Sequence, residues 1–138
     1  MTTNSAVPDE LVRALRELDG AVWLDPRLRE LVAIRTAQID GCSDQLVEHA
    51  RAALDLGETP ERLIALADRD RSKAFTPREQ AALAFVDALA DMDASRLAEA
   101  RREAARYLEP VELAHLAFTC AAAAAWDRLV MAAGAKCG

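Results

Sequence analysis

The stretch LRELVAIRTAQIDGCSDQLVEHARAALDLG, residues Leu28 to Gly57, decides the fold. Its apolar residues recur at helical rather than alternating spacing, and Gly41 ends one helix where the next begins at Cys42 or Ser43. On that second helix Cys42, Gln45 and His49 stand at i, i+3 and i+7. They share one face and are expected to line a single pocket wall. On the first helix Glu30 falls among Leu31, Ile34 and Ala37, where a carboxylate needs a partner.

The same grammar extends outward. In TPREQAALAFVDAL, Thr76 can cap, Pro77 suits the first helical position and Glu79 completes a capping box. Thr59 and Pro60 repeat the signal, while Ser95 and Pro110 mark two further starts. DELVRALRELDG opens the chain and stops at Gly20. No segment alternates for more than a few residues, so the chain is expected to be all-α, a compact bundle of six to seven helices. Residues 1–19 read as an N-terminal helical extension and residues 20–138 as the main domain, within one domain overall. Residues 1–7 are expected to fray. The charged run ALADRDRSKAFTPRE reads as a solvated loop between helices.

Composition excludes several function classes. Of 138 residues, 52% are hydrophobic, enough for one core without staples. Lys and Arg number 17 against 23 Asp and Glu, a net charge of -6 with the basic residues scattered, so neither nucleic acid nor an anionic membrane is an expected partner. The longest apolar run, FTCAAAAAW, is far short of a bilayer span, and the N-terminus lacks the marks of a signal peptide. A cytoplasmic protein is expected. The three cysteines, Cys42, Cys120 and Cys137, are widely spaced and read as individual thiols. Cys120 lies among alanines and phenylalanine and reads as core, whereas the penultimate Cys137 reads as exposed. His115, one helical turn from Glu112, belongs to no cluster with metal spacing, so neither a metal nor another cofactor is assigned.

A thiol at a helix start gains only ~0.3–1 kcal/mol from the macrodipole, and Asp44 opposes a second negative charge there. Activation of Cys42 therefore has to come from His49 or another partner, for which Glu30 is a candidate.

These residues carry a family resemblance. From Leu28 through TPERLIAL and FTPREQAALAFVDAL to AWDRLV, across roughly residues 20 to 133, the chain resembles the alkylhydroperoxidase D (AhpD)-like branch of the carboxymuconolactone decarboxylase superfamily. That family's motif is a glutamate followed twelve residues later by C-x-x-C-x-x-x-H. Glu30, Cys42 and His49 fall in register, while Gln45 occupies the second cysteine's place. In redox members the two cysteines cycle between dithiol and disulfide while histidine and glutamate relay protons, which gives thiol-dependent, peroxiredoxin-type reduction of hydroperoxides. In decarboxylase members the residue four before the histidine is often glutamate.

The resemblance thus implies an antioxidant oxidoreductase with a single-cysteine site. Cys42, His49 and Glu30 would be catalytic, Gln45 and Asp44 would contact substrate, and an external thiol donor would be required. The alternatives are acid–base chemistry by His49 and Glu30 on a small organic acid or lactone, and a non-catalytic oligomer that binds a ligand in the same pocket. Arg35 or Arg128 could instead pair with Glu30 as a structural anchor. A homo-oligomer, a trimer or a multiple of three, is expected.

Overall fold

The computed structural model describes residues 7–134, and among them the chain is all-α. Seven α-helices follow one another: α1 (Asp9–Gly20), α2 (Pro26–Asp40), α3 (Ser43–Asp55), α4 (Pro60–Ala65), α5 (Pro77–Asp91), α6 (Ala94–Ala104) and α7 (Pro110–Ala132). A 3-10 turn, Leu66–Arg71, continues from α4.

The ends follow local chemistry. Thr59 and Thr76 accept hydrogen bonds from the N–H groups of Arg62 and Glu79, and at α5 the reciprocal capping box is complete. Thr76→Ala is expected to cost about 1 kcal/mol, read as a lower urea midpoint with an unchanged slope. Gly41 sits at φ 72°, the left-handed region where glycine carries no Cβ penalty, and the Cys42 N–H closes back onto Ala37 O. That turn folds α3 directly against α2. At α6 the cap is Asp93, which accepts from the N–H groups of Ser95 and Arg96, so the helix begins slightly before the expected Ser95.

Helix α2 is the centre of the bundle because its buried residues, among them Leu28, Leu31, Val32 and Ile34, face more than one neighbouring helix. Leu28 and Val32 pack with Phe85, Val86, Leu116 and Cys120, which joins α2 to α5 and α7. Leu31 and Ile34 face the other way, toward Ala53, Leu66, Phe75 and Leu83. A helix buried on several sides shows little amphipathic contrast, as its sequence does. Helix α1 lies on α7 through Val12 and Trp126, and Val7 joins that cluster instead of fraying. Residues 1–6, the rest of the expected frayed segment, lie outside the described residues, as does Cys137.

The charged run after α4 is only partly a solvated loop. Leu66 and Phe75 anchor it in the core. Arg69 pairs with Asp87 at 2.7 Å, and Arg35 reaches the same carboxylate at 2.8 Å. Arg62 joins Glu58 at 2.7 Å and Glu79 at 2.6 Å, tying α4 to α5. Burial raises the Glu58 carboxyl pKa, but the hydrogen bonds from Arg62 and the Thr59 N–H, with the Arg62 and Arg27 charges, hold it below the usual range.

No described helix is long and apolar enough to cross a membrane.

Candidate active site

Helices α2 and α3 are antiparallel neighbours across the Gly41 turn, so residues 19 positions apart meet. Glu30 Oε2 lies 2.8 Å from His49 Nδ1. A carboxylate accepts, so Nδ1–H is the donor in this pair, and in the neutral ring that tautomer puts the lone pair on Nε2. The Glu30 and His49 side chains are 23% and 25% exposed, dry enough for a firm hydrogen bond and open enough to meet a ligand.

Both residues line a cavity of about 320 Å³ where α1, α2, α3 and α7 converge. Its volume comes from small side chains: Ala33, Ala52 and Ala123 stand where larger residues would fill the space. Trp126 supplies an aromatic wall. Two arginines also line the cavity. Arg29 is held by Asp19 at 3.2 Å, whereas Arg16 is exposed at the rim on α1. The site therefore offers an imidazole, the Glu30 carboxylate hydrogen-bonded to it, an aromatic surface, and the charges of Arg16 and Arg29 alongside those of Asp19 and Glu48.

The structure corrects part of the single-wall expectation. Glu30 and His49 come together, but Cys42, Gln45 and Asp44 are not among the cavity's lining residues. Cys42 is fully buried, Gln45 is buried, and Asp44 is exposed on the first turn of α3. Cys42 is the N-cap residue just before α3 and is buried like Gln45, whereas His49 is half-buried and reaches the cavity. Gln45 Oε1 accepts no hydrogen bond among the described residues.

Cys42 also departs from the reading of three individual thiols, because it is disulfide-bonded. Sequence spacing carries no information on which sulfurs meet in space. Cys120 is free and buried, as expected of a core residue, and burial pushes its thiol pKa up. Neither structural anchor proposed for Glu30 is used. Arg35 goes to Asp87, and Arg128 lies 3.9 Å from Asp40.

A second polar cluster had no sequence signal. Asp127 on α7 is buried beside Asp40 at the end of α2, and one oxygen of each carboxyl has no hydrogen-bond partner among the described residues. Burial, then the hydrogen bond and charge of Asp40, push the Asp127 pKa up to about 8, with Arg128 opposing. A neutral Asp127 donates its proton to Asp40, which satisfies atoms that two carboxylates leave stranded. Among the described residues no group of three or more His, Cys, Asp or Glu side chains is placed to hold a metal ion. His115 accepts a hydrogen bond at Nδ1 from the Trp23 N–H, at 3.1 Å.

The architecture recurs in solved structures. One is a protein of unknown function from Agrobacterium tumefaciens with a suggested place in antioxidant defence as an AhpD. It is 20% identical, with a TM-score of 0.87 over 96% of this chain and 93% of that one. Another is the apo debrominase Bmp8, 21% identical, with a TM-score of 0.77 over 94% of this chain and 72% of that one. At such identities the likeness is one of fold. No curated protein matches the chain in sequence. Residues 9–88, more than half of the chain and including Glu30, Cys42 and His49, match the carboxymuconolactone decarboxylase family, and the chain belongs to it.

Proposed function

We propose that the chain is an acid–base enzyme acting on a small organic acid in the cavity between α1, α2, α3 and α7. The observation that carries this reading is the 2.8 Å Glu30–His49 pair on the wall of a cavity that Cys42 does not line. His49 Nε2 takes a proton from a carbon next to the substrate's carbonyl. Glu30 holds the tautomer and stabilises the imidazolium that forms. Arg16 at the rim pairs with the substrate carboxylate, and Trp126 packs against the carbon skeleton. The test is proton NMR in deuterium oxide with a panel of small keto acids, lactones and aromatic carboxylic acids. Exchange of an acidic C–H that requires both His49 and Glu30 supports the reading. A panel inert with the parent protein, or exchange that persists in the His49→Ala variant, overturns it.

A second reading rests on a different observation, the disulfide at Cys42. In a thiol peroxidase the Cys42 thiolate attacks the hydroperoxide O–O bond, releasing an alcohol and leaving a sulfenic acid. A second thiol displaces water to give a disulfide, and an external dithiol restores both sulfurs. Cys42→Ser separates the readings. It is expected to leave C–H exchange within about threefold of the parent on the acid–base reading, and to abolish dithiol-dependent hydroperoxide consumption on the redox one. Gln45→Cys, which restores a C-x-x-C spacing, is expected to raise peroxide turnover only on the redox reading.

A further inference from the structure

Of the four helices that wall the cavity, α1 buries least. Only Val12 of its twelve residues is buried, against seven of the fifteen in α2. Leu15 and Asp19 are half-buried and the rest of the helix is exposed. Val12, Leu15 and Asp19 fall at i, i+3 and i+7, so α1 rests on the fold along one narrow stripe.

The two ends of that stripe are held differently. At the C-terminal end, Arg29 Nη2 donates to the Asp19 carbonyl at 3.1 Å and pairs with the Asp19 carboxylate at 3.2 Å. Beyond Gly20 the chain is fixed as well, because Val22 and Leu24 enter the core beside Leu28 and Leu116, and the Trp23 N–H donates to His115 Nδ1. Toward the N-terminal end there is an apolar seam, Val12 and Leu15 with Trp126 and Leu129. Among the described residues, no hydrogen bond or ion pair joins residues 9–18 to another helix.

Trp126 belongs to both seam and cavity. It packs with Val12 and lines the cavity wall, yet it is only 8% exposed. Parting Val12 and Leu15 from it uncovers the indole and widens the cavity between α1 and α7 in one movement. An element with few buried apolar contacts opens at a fraction of the free energy that unfolds the whole domain.

We propose that α1 is a gate, which pivots about its Asp19 end, lifts Val12 and Leu15 from Trp126 and Leu129, and admits a small ligand between α1 and α7. Arg16 and Asp19, the two cavity residues on α1, lie one turn apart and travel with it. Closure brings Arg16 back over a ligand held against Trp126. The gate serves the cavity whichever chemistry Glu30 and His49 perform there.

Two measurements test the gate, and neither needs the ligand. Trp23→Phe leaves Trp126 as the single tryptophan, because the chain has two, and acrylamide quenching then reads how often the Trp126 ring is uncovered. In that background Val12→Ala, which weakens the seam, is expected to raise the quenching constant by about threefold or more well below the melting temperature. Val86→Ala, which loosens the core that joins α2, α5 and α7, is expected to leave it unchanged. Hydrogen exchange of the parent protein is the second measurement. A lifted helix of twelve residues is not stable alone in water, so the amides of α1 are expected to exchange about tenfold or more faster than those of α2 without denaturant. Equal quenching in the two alanine variants, or α1 as protected as α2, overturns the proposal. Quenching that rises in Val12→Ala while α1 stays as protected as α2 marks a static hole beside Trp126 and overturns it too.

Discussion

His49→Ala is expected to lower kcat/KM for C–H exchange, or for the full reaction once its substrate is identified, by a factor of about 10²–10⁴, the usual contribution of a positioned general base. The loss falls mainly on kcat, because the imidazole acts on the reacting proton and not on the resting substrate. Glu30→Gln is expected to cost less, since an amide oxygen still accepts from Nδ1 but no longer balances the imidazolium. Arg16→Ala is expected to raise KM with kcat little changed, the mark of a contact equal in ground and transition states. The fold tolerates these changes because Glu30 and His49 keep access to water and Arg16 lies on the surface. Equal loss of kcat in all three variants would indicate a damaged cavity, which thermal melting detects.

Asp127→Asn is expected to stabilise the protein in a way that depends on pH. The folded-state pKa of Asp127, about 8, lies above its ordinary value of 3.8, so the folded chain holds this proton more tightly than the unfolded chain. Stability from this group is therefore complete below pH ~4 and is lost progressively as pH rises toward 8. An asparagine at this position keeps an N–H donor toward Asp40 at every pH and removes the penalty of charging the buried site. The gain in melting temperature is expected to be near zero at pH 4, to grow through neutrality and to level off above pH 8, reaching on the order of 5–10 °C. Melting curves of parent and variant across that range check it. A gain independent of pH would mean that packing, not the proton shared with Asp40, distinguishes the two side chains.

What could be foreseen and what could not divides by the distance over which each feature is encoded. The α2–α3 turn was legible because Gly41 terminates a helix by its own backbone freedom and the cap is closed within five residues. The starts at Thr59 and Thr76 were legible for the same reason, a side chain reaching an N–H three residues on. The meeting of Glu30 and His49 was implied by the family's spacing, and their hydrogen bond follows from two helices folding back across one glycine.

The cavity itself had no such signal. Arg16 and Trp126 are 110 positions apart, and they share a wall only because Val12 and Trp126 pack α1 onto α7. Asp40 and Asp127 carry no mark of a pair in the sequence and meet only because α2 and α7 pack side by side. Arg69 looked like part of a solvated charge run, yet the 3-10 turn delivers it to Asp87.

The case of Cys42 is the most instructive. Helical periodicity puts it on one face with Gln45 and His49, but it is the N-cap residue before α3, and periodicity gives direction and not depth. Cys42 and Gln45 are buried while His49 is half-buried, so His49 reaches the cavity and the cysteine does not. Local hydrogen bonding and apolar spacing, written in the order of residues, determined the helices and the register of the motif. Which of those residues face a ligand was decided by contacts between helices distant in the chain, because burial is a property of neighbours that sequence order does not specify.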